Sequence, residues 1–442
     1  MDQGAPADEV IRDLLRSAWI IESARAEVYG TWSEQGDQDR YVASQQRASE
    51  RAGLVEKTLV ERGHQTDPAI VEPHSRWMRG LAGAQLGEVP LGPFFVSRLG
   101  DWVDGHASGF VSDAAKLKTL GDEERESLEF PAELPPAPPY EPIEPIPVEP
   151  PGETLFRFAI LADLHFGSAT GEQMAKAAIA DLNRSGAELV IQLGDITDHG
   201  NKAEFELAME SLKALEVPYA TMMGNHDVFS KEEERLSGRE YYPASFERQP
   251  DGAILEHKGF RFAVLDSVMH ASSPYADFNL ATGAFMEGPG GAIVRGTLSD
   301  PQHEILAEVA SEGAPPAFVF LHHPPQPFTA FPPVLFGLRD EDSGRLHATV
   351  DSGNVWGVFA GHTHRNARTR DYDGVPAHEV AIPRDYPFGY SLVDVAADGY
   401  AYRFVQLSDE ELLRSAYESA GQIHRRYGLG SPDERSFVWS RL

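Results

Sequence analysis

The sequence predicts an α/β domain preceded by an all-α helical bundle, and three features support this prediction. Short apolar runs alternate with helical patterns from residue 156 onward, as in strands joined by crossover helices. Strand patterns are missing from the first 125 residues. Proline occupies nearly every second position of residues 131–151, which therefore form neither a helix nor a central strand. The predicted order is a helical bundle (1–125), a Pro-rich linker (126–153), the α/β domain (154–408) and a C-terminal helix and tail (409–442).

The first two helices of the predicted bundle are long. Apolar residues recur at helical spacing within residues 8–35, with Asp8 as a suitable N-cap, and residues 38–62 form a second, more polar helix. Shorter pieces complete a bundle of about four helices. Its acidic residues are typical of a solvated face, since the paired Glu-x-x-His motifs of a dinuclear bundle site are absent. We therefore expect the bundle to serve in partner binding or homo-oligomerisation.

The Pro-rich segment has three interpretations. Its composition predicts an extended polyproline II conformation, as in a semi-rigid linker. It could also be a ligand for a recognition module with an aromatic groove. Alternatively, it could lie across the surface of the α/β domain and tie the bundle to it.

The composition is that of a strongly acidic globular protein. Hydrophobic residues make up 41% of the 442 positions, which is ordinary for a folded enzyme. The 69 acidic residues exceed the 38 basic ones, so duplex nucleic acid and anionic membranes are disfavoured as partners. No stretch reaches the ~20 apolar residues that span a bilayer. The first residues also lack the basic region followed by an apolar run that is typical of a secretory signal peptide. The sequence thus predicts a cytoplasmic protein.

Metal-binding side chains follow five of the predicted strands. They lie in the motifs DLH (163–165), GDITD (194–198), GNHD (224–227), HHPP (322–325) and GHTH (361–364). In open α/β sheets, ligands bind at the carboxyl ends of the strands, so these loops can converge on one crevice. The chain has no cysteine, and Asp, Asn and His without thiolates suit divalent or trivalent Mn, Fe or Zn. The number of candidate ligands indicates two metal ions.

The five motifs, in this order, resemble those of the calcineurin-like metallophosphoesterase superfamily. One such motif alone is weak evidence for the family, but five motifs in this order, each after an apolar run, are specific to it. The resemblance implies a four-layer sandwich of two mixed sheets flanked by helices. Its closest branch is that of the class III cyclic-nucleotide and glycerophosphodiester phosphodiesterases. Protein phosphatases of the superfamily carry arginines beside the GD and GNH motifs, where this chain has Thr197 and Met223.

Carried over residue by residue, the resemblance implies two sets of metal ligands. One metal would be bound by Asp163, His165, Asp195 and His364, and the other by Asp195, Asn225, His322 and His362. Asp195 would bridge the metals, because its two oxygens can face different cations. The histidine two residues before the proline is the usual ligand, which selects His322 and leaves His323 to face the substrate.

The resemblance also implies a mechanism, in which a hydroxide held between the two metals attacks a phosphate ester. His226 resembles the histidine that protonates or stabilises the leaving oxygen, and Asp198 would orient it. His199 is a candidate substrate contact from its position alone. A small phosphodiester is the favoured substrate. The alternatives are a phosphomonoesterase and a non-catalytic scaffold whose helical domain binds a partner.

Overall fold

The computed structural model describes residues 4–35, 38–68, 71, 75, 78, 85–86, 89–90, 96–97, 99–100, 103, 107–128, 137–228, 240–243, 252–268, 278–279, 284–285, 296–325, 337–351, 353–368, 375–421, 425 and 428–441. The chain divides into two compact units. The helical unit comprises residues 1–136 and 272–287, and the α/β unit comprises residues 137–271 and 288–442.

The helical unit contains the two long helices that the sequence predicts. Its described helices are α1 (Gly4–Gln35), α2 (Gln38–Glu61), a 3-10 helix (Ser108–Phe110) and α3 (Ala114–Leu128). Two-residue strands, Gln85–Leu86 and Val89–Pro90, pair where only helix was predicted, and Phe278–Asn279 pairs with Ala284–Phe285. Two residues per strand are too few to show the alternation that identifies a strand in a sequence.

A buried cluster of charged side chains lies within this unit. Arg25 donates to Glu22 at 2.5 Å and to Glu124, and Arg51 lies 3.0 Å from Glu22. The Tyr29 hydroxyl donates to Glu124 at 2.8 Å. The four charged side chains are at most 2% exposed, and their charges balance. Glu22 and Glu124 are therefore ion-pair partners in the core, which corrects the expectation of a solvated acidic face for these two residues.

Removing one charge from this cluster is expected to destabilise the unit. Glu124→Gln leaves two buried arginines with one carboxylate, and breaking a buried pair in this way costs about 3–5 kcal/mol. Glu123 is a matched control, because its side chain is 55% exposed and lies 3.6 Å from Arg47, a weak surface pair. Far-UV circular dichroism of the full chain should show an earlier thermal transition in Glu124→Gln than in Glu123→Gln. Superimposable melting curves would contradict this role of Glu124.

Two mixed six-stranded sheets form the centre of the α/β unit. Their strands are β1 (Phe156–Leu161), β2 (Leu189–Gln192), β3 (Tyr219–Ala220), β4 (Ala253–His257), β5 (Phe260–Val264), β6 (Ala317–Leu321), β7 (Val355–Ala360), β8 (Ala367–Arg368), β9 (Ala377–Glu379), β10 (Gly389–Ala396), β11 (Gly399–Gln406) and β12 (Ser436–Ser440). The first sheet has the order β12-β11-β10-β1-β2-β3, in which β1, β2 and β3 are parallel. The second has the order β8-β9-β7-β6-β5-β4, in which β9, β7, β6 and β5 are parallel.

Helices flank the sheets and complete the predicted sandwich. They are α4 (Gly171–Leu182), α5 (Lys202–Leu212), α6 (Asp300–Val309), α7 (Asp340–Asp351), α8 (Glu410–Ser419) and the one-turn helices Asn225–Val228 and Pro432–Arg435. As predicted, α4 and α5 are the crossovers of consecutive parallel strands. None of the described helices combines the length and the apolar character needed to cross a bilayer.

Aromatic side chains fill the core between the two sheets. The ring of Phe158 in β1 lies 5.2 Å from those of Phe262 in β5 and Phe318 in β6. Residues alternate along each strand, so Phe318 and Phe320 join this core while Val319 joins the core that includes α6 and α7. Burial of each such ring contributes about 1.5–3 kcal/mol. The strand ends that carry the motifs are therefore held on a closely packed support.

Residues 137–151 of the Pro-rich segment pack along the α/β unit. The Tyr140 ring lies 5.6 Å from that of Tyr417 in α8. The main-chain N–H of Ile143 donates to the side chain of Gln406 in β11 at 2.9 Å. Of the three interpretations, this geometry matches a segment lying on the surface of the α/β domain. Residues 131–136 lie outside the described residues.

The tail predicted after the C-terminal helix contains a strand. Ser436–Ser440 forms β12, which pairs antiparallel with β11 at the edge of the first sheet. The edge strand β4 of the second sheet was also not predicted. Both strands are only five residues long, so each offers a short stretch in which to recognise a strand pattern.

Candidate metal centre

Loops from both sheets meet at one edge of the α/β unit. The carboxyl ends of β1, β2, β3, β6 and β7 precede the side chains Asp163, His165, Asp195, Asn225, His322, His362 and His364. Hydrogen bonds join the two sets of loops: the main-chain N–H of His362 donates to Asp163 at 3.0 Å, and Nδ1–H of His322 donates to the Leu193 carbonyl at 2.8 Å. The topology thus brings together the ligand candidates from distant parts of the chain.

Four side chains form a first cluster of donor atoms. These are Asp163, His165, Asp195 and His364, and their donor atoms all lie within 4.8 Å of one another. Nε2 of His165 lies 3.3 Å from Nε2 of His364 and 3.7 Å from Oδ2 of Asp195. This is the set that the resemblance implied for one metal.

A second cluster surrounds the other oxygen of Asp195. Nε2 of His322 lies 3.4 Å from Oδ1 of Asp195 and 3.0 Å from Oδ1 of Asn225. The His362 ring centroid lies 4.9 Å from that of His322. Asp195 therefore lies between the clusters with one oxygen toward each, which is the position of a bridging ligand.

The hydrogen bonds of the imidazole rings fit a bound cation. Nδ1–H of His165 donates to Asp198 at 3.1 Å, and Nδ1–H of His364 donates to Asp385 at 2.7 Å. When both rings are neutral, their Nε2 lone pairs face each other beside carboxylates, an arrangement that is repulsive unless a proton or a metal ion lies between them. Imidazole nitrogens and carboxylate oxygens are donors that Mn, Fe and Zn all accept.

The pKa shifts within the site differ in direction: burial lowers the pKa of His165, His323 and His362, whereas those of His364 and Asp195 shift toward their charged forms. Burial opposes protonation of His364, but its hydrogen bonds to Asp163 and Asp385 outweigh burial and raise its pKa to about 9. Burial also opposes ionisation of Asp195, yet His322 and neighbouring histidines lower the pKa of Asp195 to about 2. A metal ion at this position would displace the proton of His364, because a ligating imidazole must be neutral.

Backbone strain is concentrated at the ligand positions. Seven described non-glycine residues have a positive φ, and five of them are the candidate ligands Asp163, His165, Asp195, His362 and His364, with φ between 48° and 68°. The left-handed conformation costs a non-glycine residue about 1–2 kcal/mol. Such strain persists where the surrounding structure imposes it, and it is typical of functional sites.

Two motif glycines allow the loops to approach each other. A Cβ atom at Gly224, in the GNHD motif, would collide with the Asp195 carboxylate. A Cβ atom at Gly361, in the GHTH motif, would collide with the carboxylate of Asp163. Only glycine leaves room for these two carboxylates.

His226 lies beside the first cluster, but its orienting group differs from the predicted one. Its Nδ1–H donates to the main-chain carbonyl of Asp198 at 2.8 Å, whereas the Asp198 carboxylate is 3.9 Å from the same nitrogen. That carboxylate instead accepts from His165. Asp198 therefore orients His226 through its backbone and His165 through its side chain. The sequence alone does not show whether the main-chain carbonyl or the side-chain carboxylate of Asp198 accepts the hydrogen bond from His226.

The two candidate substrate contacts occupy different environments. The His199 side chain is 30% exposed, with Nδ1 at 2.8 Å from Glu204 and Nε2 at 3.4 Å from Asp198. His323 is fully buried, and its Nδ1 lies 3.0 Å from the Ser267 hydroxyl. Because His323 has no exposed surface, the geometry gives no support to its predicted contact with substrate.

Arg384 and Asp385 also contact residues of the site, although no sequence motif indicated them. Asp385 accepts from the ring of His364, and Arg384 lies 3.4 Å from the Asp198 carboxylate. Both residues follow β9, directly after the apolar residues 380–383. The pattern that identified the five motifs, an apolar run followed by polar side chains, is also present here.

Comparison with known proteins gives a consistent result for the α/β unit. A protein of Rhodococcus erythropolis named "Probable cyclic nucleotide phosphodiesterase" is 27% identical over 208 residues, which are 46% of this chain and 60% of that protein. Glycerophosphodiester phosphodiesterase GpdQ of Enterobacter lignolyticus is 26% identical over 230 residues, which are 48% of this chain and 72% of that protein.

A solved structure and a family model also match parts of this chain. A dimetal phosphatase from Danio rerio has a TM-score of 0.44 and 18% identity, over 57% of this chain and 98% of that chain. The model of the calcineurin-like phosphoesterase family matches residues 156–366. This match includes all five motifs, from DLH to GHTH. Residues 156–366 therefore belong to the calcineurin-like phosphoesterase family.

Proposed function

We propose that the α/β unit is a dinuclear metal-dependent hydrolase of phosphate esters and that small phosphodiesters are its favoured substrates. The observation that carries the proposal is the position of Asp195, whose oxygens lie 3.7 Å from His165 of one cluster and 3.4 Å from His322 of the other. A site for one metal has no need of a carboxylate shared in this way. Membership of the family supports phosphoester chemistry.

The two clusters supply the ligands of two metal ions. Asp163, His165, Asp195 and His364 would hold one ion, and Asp195, Asn225, His322 and His362 would hold the other. Bound Mn, Fe or Zn ions would neutralise charge on the phosphoryl oxygens and lower the pKa of water. The rigid packing of the strand ends positions these side chains before substrate arrives.

His226 is the proposed proton donor to the leaving oxygen. Its Nδ1–H is held by the Asp198 carbonyl, so the proton available for transfer is the one on Nε2. The side chain is 33% exposed, which gives a substrate access to it. Asp198 acts as a positioning residue, because it holds both His226 and His165.

Two observations favour small diesters over other phosphate esters. The relatives from Rhodococcus erythropolis and Enterobacter lignolyticus are both named as phosphodiesterases. The formal charge of -31 disfavours polyanionic substrates, because they would be repelled at long range. A phosphomonoesterase with the same metal centre is the second candidate.

A substrate panel tests the proposal. After chelation, the full chain should regain turnover of bis(4-nitrophenyl) phosphate when Mn, Fe or Zn is added back. Its kcat/KM for this diester should exceed that for 4-nitrophenyl phosphate by about tenfold or more. A higher kcat/KM for the monoester would assign a phosphomonoesterase. Absence of metal-dependent turnover of both compounds would contradict a hydrolase and favour the scaffold interpretation.

A further inference from the structure

Arg384 lies between the metal centre and a neighbouring cavity. Its guanidinium contacts Asp198, which holds the ring of His165, and Asp385, which holds the ring of His364. The cavity has a volume of about 270 Å³. Its lining comprises Thr170, Arg384, Asp385, Tyr386, Phe388, Ala416, Ser419, Ala420 and Gly421, the last four at or just after the end of α8. Arg384 is the one cationic side chain among the described residues of this lining.

The guanidinium has hydrogen-bonding capacity that the protein does not use. Its Nε and Nη2 atoms donate to Asp385 at 3.3 and 3.2 Å, and Nη1 donates to Asp198 at 3.4 Å. A guanidinium carries five N–H groups, so one N–H on each Nη atom has no acceptor among the described residues. Paired N–H groups on the two Nη atoms match the spacing of two oxygens of a phosphate group.

The two carboxylates fix the orientation of Arg384 before any ligand binds. Its side chain is 20% exposed, so it is accessible without being free to rotate into solvent. A side chain that is already ordered loses little conformational entropy on binding.

We propose that Arg384 is a substrate-binding residue, whose two remaining N–H groups bind two phosphoryl oxygens of an anionic ester while the adjoining cavity takes the organic group of the ester. This inference rests on the proposed function of the same centre. Tyr386 and Phe388 give the cavity an aromatic wall, with their ring centroids 5.9 Å apart. The substrate class is therefore a phosphate ester with a ring-sized organic group.

Steady-state kinetics of the metal-loaded full chain test the inference. With bis(4-nitrophenyl) phosphate, Arg384→Met should raise KM about tenfold or more and change kcat by less than about threefold, because the lost contact exists before and during the reaction. The inhibition constant of inorganic phosphate should rise by a similar factor. Arg384→Lys keeps the charge and should give an intermediate KM. Arg414→Met is the control, because Arg414 is 48% exposed and pairs with Glu410 on α8.

The metal content of each variant distinguishes substrate binding from a structural role. Loss of metal from Arg384→Met, or a fall in kcat at constant KM, would show that Arg384 only positions Asp198 and Asp385, and would overturn the inference. If the wild-type chain shows no metal-dependent turnover, the proposed function fails separately. In that case, calorimetric titration of the Mn-loaded chain with inorganic phosphate tests the role of Arg384. Equal affinities of the wild type and Arg384→Met for phosphate would overturn this role.

Discussion

Asp195→Asn is expected to lower kcat/KM by about a thousandfold or more and to lower the affinity for both metal ions. Asparagine has one side-chain oxygen and no charge, so it cannot serve both clusters, and the lost interactions are those that stabilise charge in the transition state. In the structure, Oδ1 of Asp195 also accepts the main-chain N–H of His226 at 2.8 Å. The substitution thus disturbs the metal centre and the proposed proton donor together.

The measurements are bound metal per chain and kcat/KM for bis(4-nitrophenyl) phosphate. Asp300→Asn is a suitable control, because the Asp300 side chain is 84% exposed and pairs with Arg345 on the surface. This control should match the wild type in both measurements. If Asp195→Asn retained two metals and most of its turnover, the bridging position of Asp195 would have no functional meaning.

His226→Ala is expected to retain both metal ions and to lose about 10²- to 10⁴-fold in kcat, which is the usual contribution of a general acid. The loss should be larger for an alkyl ester than for a 4-nitrophenyl ester, because a poor leaving group depends more on protonation. His257→Ala is the matched control, since His257 pairs with Glu188 at 3.1 Å, apart from the clusters.

Metal analysis and the dependence on leaving group together test this role. A decrease in metal content parallel to the decrease in turnover would make His226 a support of the metal centre and not a proton donor. An equal loss of kcat for alkyl and aryl esters would likewise contradict proton donation.

The ligand positions could be predicted because each motif combines a local sequence pattern with a position at the carboxyl end of a strand. An apolar run such as that of β1 forms a buried strand, and its carboxyl end lies at the edge where loops of neighbouring parallel strands meet. The same reasoning applies to Arg384 and Asp385 after β9. It did not identify them because a pair of opposite charges in a loop is usually a solvated surface pair.

Other features depend on tertiary packing that a sequence pattern does not contain. The helical spacing of apolar residues in α1 does not show that Glu22 is buried. Its burial depends on ion pairs with Arg25 and with Arg51, and Arg51 lies in another helix. Likewise, the GDITD motif includes Asp198 without showing that its carboxylate holds His165. Strand β12 pairs with β11 at the edge of the first sheet, and its run of three strand-forming residues, Phe437, Val438 and Trp439, is too short to identify a strand or its partner from the sequence.

Counting metal ions per chain after chelation and readdition tests the central claim most directly. Mass spectrometry of the Mn-loaded full chain, with turnover measured on the same samples, should give two ions per chain for the wild type, and activity should follow occupancy. Full activity with one ion per chain, or turnover that persists without metal, would contradict a dinuclear centre that shares Asp195.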